Sequence, residues 1–147
     1  MALTQCMTNS FKKELPQAIH NFTTTTGHVF KIAMYTNVAA WDTTTTAYSA
    51  TNEVGASGTY SAGGFAWTAA QNVTPLNTAT TAYWGWSANP AWTSATITAR
   101  SAIIYNSSAS NKSVAVLDFG ADKTSTAGTF TITLPTLDAT TGILRLL

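Results

Sequence analysis

Threonine alternates with apolar residues in two stretches of this chain, and that period of two restricts the possible folds more than any other feature. In residues 128–134, Phe130, Ile132 and Leu134 fall on one side of an extended chain and three threonines fall on the other. Residues 94–105 repeat the pattern, with one predicted face made of Ala95, Ile97, Ala99, Ile103 and Tyr105 and the opposite face of Thr96, Thr98 and Arg100. Successive side chains of a strand point to opposite faces, so both stretches predict strands with one buried face.

Six further segments are predicted as strands, five from weaker forms of this pattern and residues 114–119 from an almost wholly apolar run, and Gly, Pro, Asn and Thr residues separate them. They are residues 28–36, 47–54, 60–71, 80–87, 114–119 and 143–147. No window of a dozen residues keeps a helical period. About eight strands joined by such turns are typical of a β-sandwich, a jelly roll or a barrel. We therefore predict an all-β, single-domain β-sandwich over residues 28–147, with jelly-roll-like connections preferred to immunoglobulin-like ones.

Residues 1–27 differ from the rest of the chain and predict an extended N-terminal arm. Ser10 is suited to cap one short helical turn, and Pro16 ends that turn quickly. Four threonines and Gly27 then form a flexible or turn-forming break. An arm of this kind either packs on its own domain or reaches a neighbouring subunit, and both arrangements stay open at this point.

Charged residues make up only 9% of the chain, and the net charge is +1. Aromatic and β-branched residues are plentiful, so the chain is expected to fold rather than to stay disordered. Its seven Lys and Arg residues are scattered, whereas a nucleic-acid surface needs them clustered, so we expect no nucleic-acid partner. No apolar stretch reaches transmembrane length, so we expect no membrane partner either. Weak net charge does little to keep copies apart, which favours a protein that works in an assembly.

Residues that carry catalysis are few and scattered. The two histidines, His20 and His28, lie near the start of the predicted domain, and no Gly-x-Ser-x-Gly nucleophile turn accompanies them. Both are expected to be surface or half-buried polar residues. One cysteine, Cys6, permits neither an internal disulfide nor a typical zinc site. We predict that the chain is not an enzyme and has no cofactor or metal.

Six acidic residues spread along the chain offer little more. Asp118 and Asp122 are four residues apart, and two carboxylates in one turn can hold Ca²⁺. The alternating ligand spacing of a calcium loop is missing, so a solvated turn with Asp122 beside Lys123 is the preferred interpretation. A polysaccharide-cleaving enzyme would need two facing carboxylates, and the sequence does not exclude such a pair.

Aromatic residues allow two interpretations. Trp84 and Trp86 project from the same face of the predicted strand 80–87, and with Trp92 they could form an exposed platform that stacks on sugar rings. Buried, they would belong to the core or to a subunit interface, where Trp and Tyr are enriched. The second interpretation is preferred. The candidate interface residues are Phe11, Leu15 and Phe22 in the arm and Trp84, Trp86 and Trp92 in the domain.

Eight segments resemble, in unchanged order, a family of tailed-bacteriophage virion proteins. These segments are SFKKEL (10–15), IHNF (19–22), FKIAMY (30–35), AYSATNEV (47–54), YSAGG (60–64), ARSAIIYN (99–106), LDFG (117–120) and GTFTI (128–132). They are packing and turn motifs, and the family offers no catalytic residues to transfer.

The resemblance implies a capsid cement or decoration protein that is made in the host bacterial cytoplasm and stabilises the head shell from the capsid surface. Its implied partners are the major capsid protein and further copies of itself, as a dimer or trimer. The alternative that stays open is a receptor- or glycan-binding module on the tail or surface of the virion.

Overall fold

Strands dominate a computed structural model that describes residues 3–147, and they form two antiparallel sheets. The strands are β1 (Cys6–Met7), β2 (Phe30–Tyr35), β3 (Phe65–Trp67), β4 (Asn72–Asn77), β5 (Ala82–Trp86), β6 (Ala91–Asn106), β7 (Lys112–Thr131) and β8 (Leu144–Leu146). One short helix, α1 (Asn9–Glu14), and two 3₁₀ turns (Leu15–Gln17 and Ala69–Gln71) complete the regular structure. The prediction of a small, single-domain, all-β protein is confirmed.

The larger sheet has five strands in the order β1-β7-β6-β2-β3, and the smaller has three in the order β4-β5-β8. Two packed sheets agree with the predicted sandwich. These strand orders do not confirm jelly-roll connections, which stay a prediction.

Strands β6 and β7 form a long hairpin, and they are two neighbouring strands of the five-stranded sheet. Residues 107–111 connect the two strands, and Ser110 and Asn111 take left-handed conformations with φ of 53° and 57°. The segments 114–119 and 128–134 were predicted as separate strands, but β7 joins the first to the start of the second and ends at Thr131. The strand is continuous because its surplus residues form a bulge.

That bulge comprises residues 119–122 of β7. Asp118 pairs with Ser101 and Lys123 pairs with Ala99, so four residues of β7 lie opposite Arg100 alone. Gly120 takes a φ of 74° there, which glycine adopts without steric cost. The motif predicted as a solvated turn is therefore a large special bulge inside a strand.

The same irregularity divides the predicted apolar face of residues 94–105. Ala95, Ile97 and Ala99 pack in the main hydrophobic cluster, as predicted. Ile103 and Tyr105 pack in a second cluster on the other side of the sheet, so the prediction of one shared face is wrong. The physical reason is the register shift between Ala99 and Ser101, which reverses the alternation.

Two other predicted strands are shorter or missing. Residues 47–54 form no strand and contribute only isolated bridges, one of them between Glu53 and Tyr35. The predicted strand 60–71 is reduced to β3, because Gly63 and Gly64 turn the chain with φ of 89° and 72°. Edge strands β1 and β4 were not predicted, and Pro75 within β4 is compatible with an edge position.

The arm packs on its own domain. Residues Cys6–Met7 pair with β7, and Phe11 and Phe22 are buried in the main cluster. Thr8 caps α1 by accepting a hydrogen bond from the backbone N–H of Phe11, so the predicted cap, Ser10, lies inside the helix instead. The segment between β2 and β3 covers the opposite face of the sheet with Trp41 and Tyr48.

Candidate functional site

Five of the six predicted interface residues lie inside the core. Their exposed fractions are 0% for Phe11, 5% for Phe22, 3% for Trp84, 5% for Trp86 and 3% for Trp92. Side chains this deeply packed leave almost no surface for a partner, which favours the core interpretation, and their assignment to an interface stays a prediction. Leu15 alone stays half-buried, and it lines an open cleft between the arm and the smaller sheet.

The tryptophans are held by ring contacts within the chain. Trp86 stacks on Trp67 with ring centroids 4.5 Å apart, and Trp84 meets Phe22 edge-on at 5.9 Å. Trp92 meets Tyr60 edge-on at 5.3 Å. A platform for sugar rings needs exposed ring faces, which these contacts cover.

A chain of polar side chains links the arm to both ends of the loop between β6 and β7. Glu14, at the end of α1, contacts Lys112 with one carboxylate oxygen and lies 2.8 Å from Nε2 of His20 with the other. Nδ1 of His20 lies 3.0 Å from Nδ2 of Asn106, and that amide nitrogen also lies 2.9 Å from Nδ1 of His28. We call these five side chains the arm network.

These contacts and the burial of the arm network shift the pKa values of Glu14 and His20. Burial by itself would raise the pKa of Glu14, but hydrogen bonds from Lys112 and His20 outweigh it and hold that pKa below its ordinary value. Burial lowers the pKa of His20, and the bond to Glu14 only partly opposes the shift. His20 is therefore a buried neutral base, contrary to the predicted surface or half-buried position, whereas His28 is half-buried as expected.

A second cluster fixes the irregular segment between β2 and β3. The carboxylate of Glu53 accepts hydrogen bonds from Tyr48 at 2.6 Å, from Tyr60 at 2.8 Å and from the backbone N–H of Gly63 at 2.7 Å. Tyr105 donates to the carbonyl of Gly63 at 2.8 Å and stacks on Tyr48. Burial and the nearby Glu53 raise the pKa of Tyr48 to about 12, so this phenol stays a donor at neutral pH.

Asp118 and Asp122 are engaged by protein donors at the bulge. Asp118 accepts from the backbone N–H of Gly120 at 2.8 Å and from Nε of Arg100 at 3.1 Å, and the same two contacts lower its pKa, the first more strongly. Asp122 accepts from Asn37 at 3.0 Å. Within residues 3–147, no three side chains of His, Cys, Asp or Glu come together as a metal site would require.

The outer half of the long hairpin is largely exposed, and we call it the distal ribbon: residues 91–99 of β6 and 124–131 of β7. It contains no charged residue. One face is buried through Trp92, Ala95, Ile97 and Phe130. The exposed threonines of the ribbon are Thr93, Thr96, Thr98, Thr124, Thr126, Thr129 and Thr131.

The outer edge of β7 is unpaired along this ribbon. β1 pairs with β7 only at Ala115 and Val116, and no other described strand lies beyond them on that side. A groove of about 460 Å³ lies beside the other half of β7, bounded by β1, by Leu117 and Phe119, and by the chain after β7. Strand edges of this kind expose free N–H and C=O groups in a row.

No protein-family model, curated protein or solved structure matches this chain. The resemblance to phage virion proteins therefore stays a prediction. Among the helices of the described chain, none is long and apolar enough to cross a membrane.

The sequence did not predict that the members of the arm network lie together. Glu14 and Lys112 are 98 residues apart, and His20 and Asn106 are 86 apart, so no local spacing connects them. The only signal was the position of Glu14 and His20 between aromatic residues that the arm had to bury. The tyrosine cluster offered more, because Glu53 lies within ten residues of Tyr48, Tyr60 and Gly63.

Proposed function

We propose that this chain is a structural protein of a tailed-phage virion, most specifically a capsid cement or decoration protein that stabilises the head shell. The resemblance of the eight segments supports the virion context. The observation that carries the assembly role is the unpaired, uncharged outer edge of β7 in the distal ribbon.

Soluble monomers usually protect a strand edge with lysine, proline, a strong twist or a covering segment. The bulge at residues 119–122 supplies such protection, with Asp122 in it and Lys123 beside it, and two smaller register shifts interrupt the pairing of β6 with β7 within the ribbon. From Thr124 to Thr131 the strand has none of these charges. An edge of this kind is suited to main-chain pairing with a neighbouring subunit, and the exposed threonines can add hydrogen bonds with little loss of side-chain entropy.

The proposed partners are the major capsid protein and further copies of this chain, and the proposed location is the capsid surface. The chain is made in the host bacterial cytoplasm under this proposal. Its role is structural rather than enzymatic.

A binding assay with phage heads tests the proposal. Heads that lack this protein should break at a lower temperature, or in less chelator, than complete heads, and adding the purified chain should restore their resistance. Heads whose stability is unchanged by its loss would contradict the cement role.

Single lysine substitutions test whether the distal ribbon is the surface that binds the head. Thr129→Lys places a charge on the distal ribbon and should abolish rebinding to heads, since a charged side chain at an edge opposes pairing. Thr80→Lys is the matched control, because Thr80 is also exposed and lies outside the ribbon. Equal loss of rebinding in both variants would remove the ribbon from the interface.

The glycan-binding alternative depended on exposed tryptophans. Trp84, Trp86 and Trp92 are each at most 5% exposed, so the structure offers that function no comparable support.

A further inference from the structure

We propose that the arm network is a proton-sensitive latch: neutral His20 fastens the N-terminal arm to the β6–β7 hairpin, and protonation of His20 releases the arm. This inference concerns the arm and is independent of the virion proposal. It begins with the hydrogen bonds of one imidazole.

Both ring nitrogens of His20 are in use, and their partners define the tautomer. Nε2 lies 2.8 Å from the carboxylate of Glu14, which can only accept, so Nε2 carries the hydrogen. Nδ1 lies 3.0 Å from the amide nitrogen of Asn106, which can only donate, so Nδ1 must be unprotonated. The geometry therefore requires a neutral ring.

Asn106 is not free to turn its amide and accept a proton instead. Its nitrogen also donates to Nδ1 of His28 at 2.9 Å, and its oxygen accepts from the backbone N–H of Ser108 at 3.1 Å. A rotated amide would lose these two bonds together with the bond to His20. A proton on Nδ1 of His20 consequently points at a fixed N–H donor.

The surroundings of His20 include three other titratable groups. Glu14 from α1 favours the protonated ring, whereas Lys112 from β7 and His28 from the segment before β2 oppose it. Phe11 meets the ring edge-on at 4.9 Å, and Phe30 stacks at 6.5 Å, so apolar groups cover its faces. Burial is the largest influence on His20, and its pKa in the closed arm lies below the ordinary 6.5.

The sign of the pH effect follows from that direction. A group with a lowered pKa in the closed state binds protons better when the arm is open, so stability of the closed arm is present above about pH 6.5 and is lost as the pH falls. For an open-arm pKa of about 6.5, the ratio of open to closed arms rises between pH 7.5 and pH 5.5, by at most about tenfold, and the size of the rise reports how far the closed arm lowers the pKa of His20. The lowered pKa of Glu14 acts in the same direction, but only near and below its ordinary value of 4.5.

Hydrogen exchange of the whole protein, followed by mass spectrometry, measures this opening. Arm amides with backbone hydrogen bonds report on the latch: those of Lys12, Ala18, Ile19 and His28. After correction for the intrinsic pH dependence of exchange, their rate should rise from pH 7.5 to pH 5.5, by up to about tenfold. It should also exceed the rate of residues 101–106 in β6 at both pH values. Arm rates equal to those of residues 101–106 would mean global unfolding and would overturn the latch.

Two matched variants identify the responsible ring. His20→Gln retains a donor for Glu14 and an acceptor for Asn106 but cannot titrate, so the rise in exchange rate at low pH should disappear. His28→Gln should retain it. A rise that survives in His20→Gln, or that vanishes only in His28→Gln, would overturn the assignment.

A third variant keeps the proposal testable if His20→Gln does not fold. Asn106→Asp replaces the fixed donor by a carboxylate, which can accept a hydrogen bond from Nδ1 of His20 once that nitrogen is protonated. Acid should then close the arm instead of opening it, and arm exchange should slow between pH 7.5 and pH 5.5. Faster exchange in Asn106→Asp at low pH would contradict the mechanism.

Discussion

The same two strands, β6 and β7, pass through two very different environments. In the first, which we call the proximal block, residues 101–106 of β6 and 113–116 of β7 are buried on both faces of the sheet. In the distal ribbon the strands alternate between a buried face and an exposed row of threonines. Both regions belong to one antiparallel strand pair, and register shifts interrupt the pairing in both of them, so backbone pairing alone does not account for the difference.

Coverage of the sheet makes the difference. The arm and the smaller sheet pack on one side of the proximal block, and the irregular segment between β2 and β3 packs on the other. We call this segment between β2 and β3 the second cover. Its residues 57–60 hydrogen-bond to β6 at Thr93 and Thr96, but no described strand pairs with the outer edge of β7 along the ribbon. A long hairpin can thus anchor one half in a core while the other half remains available for contacts.

Period-two patterning predicted both the all-β class and the inward residues of the ribbon, because a half-buried strand records its two faces in alternating residue types. The proximal block is apolar on both faces, so its sequence could not reveal which side each residue occupies, and Ile103 was placed on the wrong face. The period-two pattern also could not reveal the second cover, because that segment has no strand structure and is held by side-chain hydrogen bonds to Glu53. The arm network depends on contacts across about 90 residues and left no local pattern.

The largest effect is expected where the second cover turns into β3. Gly64→Ala should lower the free energy of unfolding by about 4 kcal/mol or more, because the new Cβ would overlap the backbone carbonyl of Ile32 and φ is 72°. Gly63→Ala is the control, since φ is 89° but the nearest atom is the Tyr105 hydroxyl at 3.2 Å. Its cost should be about 1–2 kcal/mol. Urea unfolding measures both, and equal costs would show that backbone overlap at Gly64 is unimportant.

Truncation of one isoleucine in each region compares their packing directly. Ile103→Ala in the proximal block should cost about 3–4 kcal/mol, because neighbours on both sides of the sheet prevent the cavity from collapsing. Ile97→Ala in the ribbon should cost about 2 kcal/mol, although Ile97 is only 1% exposed, because the ribbon can relax toward solvent. Chemical denaturation of the two variants measures the loss of unfolding free energy in each. A larger loss at Ile97 would mean that the ribbon is as rigid as the block.

Loss of the Glu53 carboxylate should loosen the second cover without removing a core side chain. Glu53→Gln replaces one accepting oxygen by a donor that faces a tyrosine hydroxyl or the Gly63 N–H, and we expect a loss of about 1–3 kcal/mol. Tyr48→Phe removes a single bond and should cost about 1 kcal/mol. Thermal unfolding ranks the two variants. If Tyr48→Phe costs as much as Glu53→Gln, the carboxylate is not the centre of the cluster.

A hydroxyl in each region offers the smallest and most discriminating comparison. Ser101 is fully buried in the proximal block, and its Oγ has no hydrogen-bond partner among the described residues. Ser101→Ala removes this desolvated group and should stabilise the fold by about 1 kcal/mol. Differential scanning calorimetry would record this as a higher melting temperature.

Thr98 pairs with Thr124 on the exposed side of the ribbon, where its hydroxyl is open to solvent. Thr98→Val retains the β-branched shape that strands favour, so the free energy of unfolding should change by less than about 0.5 kcal/mol. Calorimetry of Thr98→Val beside Ser101→Ala therefore separates the two environments within one strand. Substantial destabilisation by Thr98→Val would show that the threonine row supports the fold of the isolated chain, and the ribbon could then no longer be treated as surface kept free for assembly.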